Sequence, residues 1–409
     1  MKLEIDKERL VAELESLAAF SDAPAPAVTR VVFSAQDRHA REYVKGLCAA
    51  AGMEVREDAV GNTFARLVGT EPELAAVGTG SHIDAIPHAG RYDGTVGVLG
   101  GLEAIRALQR VGVRPRRSVE LAIFSAEEPT RFGIGCFGSR MLAGCLDGTL
   151  LRDKEGKTLD QWRGEAGFRG ELGSVPLPAG YYHAFVELHI EQGPLLERAA
   201  IPVGIVTAIA APASLRMWIE GEGGHAGAVL MAARHDAFCA AAEIVLAVEQ
   251  AARSTGAIDT VGTVGVCDVF PGAVNSIPST VRLEVDVRDT DLARRDGVLA
   301  KIAEICAKVS HRRGVTVRTE VLNADAPAQC DERVVDTLAR AAESHGLAYQ
   351  RMVSRAYHDT LFVSRIAPAA MLFIPCRGGV SHRPDEYSSP DAIASGTLVL
   401  AEAMRELAG

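Results

Sequence analysis

Four short segments hold most of the side chains in this chain that could do chemistry. They are Gly80-Ser81-His82-Ile83-Asp84, Tyr92-Asp93-Gly94, Ala126-Glu127-Glu128-Pro129 and Glu187-Leu188-His189-Ile190-Glu191-Gln192. A fifth, Ser381-His382-Arg383-Pro384, lies near the C-terminus. Together they supply imidazoles, a carboxylate able to bridge and a spare carboxylate, the inventory needed to hold two divalent ions and activate a water between them. His82 and Asp84 are separated by one residue, so on an extended backbone their side chains share a face, and Asp84 can orient a metal-binding His82 from behind. Asp93 stands just before a helical pattern, where it serves equally as a helix cap. Glu127 and Glu128 are adjacent carboxylates that repel unless something positive neutralises them. With a cation present, one ligates and the other is free to take a proton; without one, they are a solvated acidic loop. His189 and His382 each have a packing reading when taken alone. The joint occurrence of the five segments is what points to a metal-dependent hydrolase.

These segments need elements to hold them. Short apolar runs at 75–79 and 119–124 read as strands buried on both faces, and 95–111 carries helix-spaced apolar residues and stops at Gly112. Residues 184–188 read as a further strand leading into His189. Strand, helix and strand in this order predict an α/β layer with active groups at the strand ends. The middle of the chain changes character. Strands at 215–220, 260–269, 280–288 and 315–322 and helices at 236–253 and 293–313 give the order βαββαβ, a ferredoxin-like pattern. The expected organisation is a catalytic α/β domain, 1–211 and 326–409, interrupted by an inserted domain at 212–325.

Composition narrows the class. A chain of 409 residues suits two domains, and 48% hydrophobic residues are enough for real cores. A net charge of −10 with both signs mixed makes nucleic acid a poor partner. No apolar run approaches membrane-spanning length. The N-terminal segment Met1-Lys2-Leu3-Glu4-Ile5-Asp6 lacks a signal core, and none of the eight cysteines forms a C-x-x-C pair. The expectation is a cytoplasmic protein with reduced, mostly buried thiols.

The five segments, with Gly138-Ser139-Arg140 and His189-Ile190-Glu191-Gln192-Gly193, resemble the peptidase M20-type metal-dependent amidohydrolases. The resemblance lies in the branch containing N-carbamoyl-L-amino acid hydrolases, allantoate amidohydrolases and ureidoglycolate amidohydrolases. It implies a two-domain di-metal hydrolase with an inserted ferredoxin-like lid that also forms a homodimer. It implies His82, Asp93, Glu128, His189 and His382 as ligands of two divalent ions per subunit, manganese first, with zinc, cobalt or nickel as alternatives. Asp93 would bridge, and His82 and His189 would serve different ions. Glu127 would be the general base and Gln192 a substrate contact. His225, in Gly223-Gly224-His225-Ala226-Gly227, would stabilise the oxyanion from the partner subunit, and Asn275 and Arg288 would bind a substrate carboxylate.

Within that branch the chain departs from the carbamoylase pattern. It has Ala228-Val229-Leu230-Met231 after His225 and Ser354-Arg355-Ala356-Tyr357-His358-Asp359 where carbamoylases carry a Gly-Ala-Gly-His-Asp run. These segments, with Pro129-Thr130-Arg131-Phe132-Gly133-Ile134, are more similar to the ureidoglycolate amidohydrolases. The implied substrate is a small ureido carboxylate, (S)-ureidoglycolate first, cleaved at a C–N bond with release of ammonia. N-carbamoyl-L-amino acids and allantoate are the alternatives. Tyr357 and His358 are candidates for substrate contacts in the branch-specific loop.

Overall fold

The computed structural model describes residues 2–409. The chain divides into two compact units, one made of Met1–Thr207 with Cys330–Gly409, the other of Ala208–Gln329. Each boundary lies a few residues outside the expected one.

The first unit is built on a mixed sheet. Its strands lie side by side in the order Glu54–Glu57, Thr63–Leu67, Val119–Phe124, Ala76–His82, Tyr182–Ile190, Ala369–Ile374 and Val203–Ile209, with Tyr349–Ser354 also pairing with the last. The four strands from Val119–Phe124 to Ala369–Ile374 are parallel to one another. They are almost wholly buried, as strands covered on both faces must be. Helices Thr95–Arg110 and Pro390–Leu407 pack on this sheet and on each other, and Glu332–Ser344 packs on Pro390–Leu407. Ser389 caps Pro390–Leu407 by accepting from Ala392 N, and Asp331 caps Glu332–Ser344 by accepting from Val334 N. The helix Thr95–Arg110 approaches the sheet so closely that a Cβ on Gly97 would lie 2.3 Å from the Leu188 carbonyl oxygen.

Two strands are longer than the sequence predicts. The first runs to His82 itself, and Tyr182–Ile190 passes through His189. The reason is long-range: Ala369–Ile374 continues the parallel ladder by placing Phe373 opposite His189 and Ile374 opposite Ile190. No local pattern around His189 announces that partner.

The second unit is a four-stranded antiparallel sheet in the order Val261–Phe270, Thr280–Asp289, Ala211–Glu220, Thr316–Ala324, with helices Ala237–Arg253 and Leu292–Arg313. Leu215, Met217 and Ile219 alternate along one strand, and Val281, Leu283, Val285 and Val287 along its neighbour. They form one core with Ala240, Ile244 and Val248 of the first helix and Val298, Ile302 and Val309 of the second. All eight cysteines are unpaired, five of them buried. Among the described residues no helix is long and apolar enough to cross a membrane.

Candidate metal centre

The parallel strands deliver the predicted residues at their C-terminal ends, where α/β sheets hold their ligands. His82 is the last residue of its strand and pairs in register with Phe124, after which the neighbouring strand turns into Glu127 and Glu128. His189 is delivered next door. Asp93 precedes the helix Thr95–Arg110, whose N-cap is Gly94 at φ 65°. A Cβ on Gly94 would lie 2.5 Å from the His82 ring, so only glycine fits both the left-handed backbone and the space.

Asp93 sits at the centre. Its Oδ1 lies 3.4 Å from His82 Nε2 and 3.2 Å from His189 Nε2, and its Oδ2 lies 3.5 Å from His382 Nε2. His382 Nε2 is in turn 3.3 Å from Glu128 Oε1. Two ligand groups therefore share one carboxylate: His82, Asp93 and His189 on one side, Asp93, Glu128 and His382 on the other. This corrects one expectation. His82 and His189 do not fall on different sides; both imidazoles converge on the same Asp93 oxygen, because their strands are adjacent in the sheet. A third grouping, Glu187 with His189 and His358, is also close enough to ligate. There, however, Glu187 is already used: Oε1 accepts from Ser81 Oγ at 2.6 Å, and Oε2 accepts from Thr360 N at 3.1 Å and Thr360 Oγ1 at 2.6 Å.

The surroundings hold these ligands in place. Asp84 does so in two ways. His82 Nδ1 is nearer the Asp84 carbonyl oxygen, at 3.1 Å, than its carboxylate, at 3.5 Å. The carboxylate also accepts from the backbone N–H groups of Glu127 at 3.2 Å and Glu128 at 3.1 Å, and so fixes the acidic pair to the His82 strand. The buried Arg30 donates to the Ile83 carbonyl at 2.6 Å, from behind the same segment. Ala126, Gln192 and His382 all have positive φ, at 51°, 55° and 58°. Such backbone persists only where the surroundings over-determine it, and it clusters at functional sites.

Electrostatics favour cations here. Asp84, Asp93 and Glu128 are buried, and Glu127 is nearly so. Among the described residues, the ion-pair partners of these four are histidines only. Burial, followed by the neighbouring Glu127 and Asp93 charges, raises the Glu128 carboxyl well above the usual range. Burial also pushes Glu127 up to about 7, with His82 opposing and Asp93 and Asp84 adding to the rise. Gln192 Oε1 is buried without a hydrogen-bond partner. Clustered buried carboxylates, three converging imidazole nitrogens and an orphaned acceptor fit a pair of divalent cations. Binding in the folded state only must stabilise the fold. Added manganese is therefore expected to raise the thermal midpoint by a few °C, and a chelator to reverse the gain. Superimposable melting curves in both conditions would count against a cation site.

The remaining predicted residues are placed as follows. Gln192 Nε2 donates to Asp93 Oδ2 at 2.6 Å, within the ligand cluster. His358 is buried, its ring 4.6 Å from that of His189 and its Nε2 2.9 Å from Ser354 Oγ; burial, then His189, lowers its pKa well below the ordinary range. The Tyr357 hydroxyl accepts from Arg140. The second unit carries His225, exposed, with Nδ1 accepting from Gly227 N at 3.1 Å. It also carries Asn275, whose carbonyl accepts from Ala226 N at 2.9 Å, and Arg288, whose Nε donates to Asp286 Oδ1 at 2.7 Å. The sequence reading missed Glu386. This buried carboxylate accepts from Tyr92 N at 2.8 Å, Asp93 N at 3.1 Å and Ser381 Oγ at 2.9 Å, and ties the His382 loop to the Asp93 turn. An acid four residues beyond His382 was its only signal.

Two histidine–carboxylate groups sharing an aspartate at the ends of a parallel sheet form the kind of centre that divalent cations occupy in hydrolytic enzymes. Residues 78–406 match peptidase family M20/M25/M40, and the chain belongs to that family. It is 51% identical over 413 residues to a ureidoglycolate hydrolase of Oryza sativa subsp. japonica, covering 98% of this chain and 85% of the relative. It is 39% identical to an N-carbamoyl-L-amino acid amidohydrolase of Geobacillus stearothermophilus, covering 99% of each. The crystal structure of AtUAH in complex with glyoxylate is similar at a TM-score of 0.89 and 50% identity, covering 100% of this chain and 99% of that one. The protein is an amidohydrolase of mixed α/β fold.

Proposed function

We propose that the protein hydrolyses the ureido C–N bond of (S)-ureidoglycolate with release of ammonia, using two divalent cations of which manganese is the first candidate. The observation that carries this reading is the shared-carboxylate centre with Glu127 beside it, in a chain whose identity to a ureidoglycolate hydrolase exceeds that to a carbamoylase by twelve percentage points, 51% against 39%. His82, Asp93 and His189 would hold one cation, and Asp93, Glu128 and His382 would hold the other. When bound, the cations lower the pKa of a water and polarise the ureido carbonyl. Glu127 takes the proton of the attacking water and returns it to the departing nitrogen. His225 donates to the oxyanion that develops on the carbonyl. Arg288 and Asn275 bind the substrate carboxylate, the guanidinium through two parallel hydrogen bonds. Gln192 and Tyr357 are the candidates for contacts to the ureido and hydroxyl groups. His358, packed on the His189 ring, orients that ligand instead of touching substrate.

The second unit serves in this reading as a ferredoxin-like lid through which two subunits pair. The order and antiparallel pairing of its four strands support the first part. In support of the second, the edge strand Val261–Phe270 and its surroundings leave Phe270, Val274, Ile258 and Leu246 exposed. An open edge flanked by apolar side chains is a ready-made pairing surface.

Ammonia release from the manganese-loaded protein tests the substrate. Ureidoglycolate is expected to give the highest kcat/KM in a panel with allantoate and N-carbamoyl-L-amino acids. A higher value for either of the others would reassign the substrate while leaving the centre intact.

A further inference from the structure

The Glu127 carboxylate receives its one side-chain hydrogen bond, among the described residues, from a thiol. Cys136 Sγ donates to Glu127 Oε1 at 3.3 Å. The other oxygen, Oε2, faces the ligand cluster at 3.8 Å from His82 Nε2. The two oxygens are thus distinguished: one is held from behind, the other is presented to the centre.

The thiol is itself held firmly. After the acidic pair the chain makes an excursion over 129–135 and returns alongside itself. Cys136 N donates to the Glu127 carbonyl at 2.7 Å, Phe137 N to the Ala126 carbonyl at 2.9 Å, and Gly138 N to the Ser125 carbonyl at 2.8 Å. Cys136 takes up left-handed backbone at φ 54°, opposite Ala126 at 51°. That geometry costs roughly 1 kcal/mol for a residue with a Cβ. The next ring, Phe137, is anchored edge-on against Phe33 and Phe132. Cys136 is fully buried, and burial and the Glu127 charge keep it in its S–H form. Cys136 is buried and has no disulfide partner, and facing a carboxylate oxygen, which is acceptor-only when ionised, its S–H can only donate.

We propose that Cys136 is a positioning residue for the reaction: its S–H bond fixes the rotation of the Glu127 carboxylate, so that the free oxygen points at the attacking water. This rests on Glu127 being the base. A carboxylate without that donor samples rotations in which neither oxygen is aligned, and misplacement of a reacting group lowers the rate of the chemical step more than it changes binding.

Three substitutions test the idea. Cys136→Val keeps the volume and removes the donor; Cys136→Ala removes both; Cys136→Ser restores a donor. Positioning predicts that Val and Ala lower kcat about 3- to 10-fold, the size set by one weak hydrogen bond to a charged acceptor, with KM and bound manganese unchanged. Ser should lie closest to native. A packing role predicts the opposite order, with Val near native and Ser no better than Ala. Thermal midpoints and metal content are measured on all three; should Val fail to fold, Ala against Ser makes the same comparison. Native kcat in Cys136→Val, or Ser as impaired as Ala, overturns the proposal. Glu127→Gln, assayed in parallel, separates the two readings. If it retains turnover, the base assignment fails; if it is inactive while Cys136→Val is native, only the positioning role fails.

Discussion

Glu127→Gln is expected to lower kcat by about 10²- to 10⁴-fold, the range for loss of a general base, with the bound metal content unchanged. The reasoning begins with position. Glu127 lies beside both ligand groups without belonging to either, its Oε2 3.8 Å from His82 Nε2, while Asp93, Glu128 and the three histidines face one another. A side chain that is not a ligand can be made neutral without releasing a cation. The substitution is also nearly isosteric: the new side chain would keep an amide oxygen for the Cys136 thiol, and the backbone N–H at this position would keep its bond to Asp84. What the change removes is the basic lone pair. In the metal-free site burial, partly offset by His82 and reinforced by Asp93 and Asp84, raises this carboxyl, and a carboxylate held beside the centre without ligating is the group able to take a proton there and give it back. Metal analysis alongside steady-state kinetics decides the matter. Unchanged turnover would remove Glu127 as the base, and loss of metal together with turnover would make it a ligand instead.

The chemistry was more legible than the scaffolding that aims it. His82, Asp93, Glu128, His189 and His382 lie in short segments that are ambiguous one at a time, and it is their joint occurrence in one chain that singles them out. The αβ alternation could be read for the same reason: buried parallel strands and amphipathic helices write their periods locally. What could not be read was whatever depends on distant parts of the chain. Glu386 matters because it accepts from the backbone N–H groups of Tyr92 and Asp93, nearly 300 positions earlier, and no local pattern encodes that bond. The grouping of His82 with His189 depends on strand order, Ala76–His82 beside Tyr182–Ile190, and sequence order alone separates them by more than 100 residues. His358 looked like a loop residue near substrate; the ladder through Phe373 instead buries it against the His189 ring. Asp84 was assigned to His82 by spacing, and its carboxylate does lie 3.5 Å from His82 Nδ1, but it also accepts from two backbone N–H groups that only the fold brings within reach.

His225→Ala is the second large effect. Loss of a single oxyanion donor typically costs about 10²- to 10³-fold in kcat, and the same is expected here with bound manganese unaffected. His225 suits the role because its ring is not committed elsewhere. It is exposed, on the short bridge that pairs Gly224 and His225 with Ile277 and Ser276, and among the described residues only its Nδ1 is engaged, accepting from Gly227 N. That bond fixes the tautomer: Nδ1 is the acceptor, so Nε2 carries the hydrogen and can donate to an oxyanion. If the donor comes from the partner subunit, the two defects must complement. In a heterodimer of His225→Ala and Glu127→Gln subunits, one site combines an intact Glu127 with an intact His225, and the other has neither. Purified heterodimers are expected to recover about half of the native rate, one complete site in a two-fold dimer, while each homodimer stays inactive. Recovery requires donation across the interface, because a donor acting within its own subunit leaves both sites of the heterodimer with one defect each. Heterodimers as inactive as the parents would therefore place His225 in its own subunit's site, whereas a native kcat in the His225→Ala homodimer would place it outside the reaction altogether.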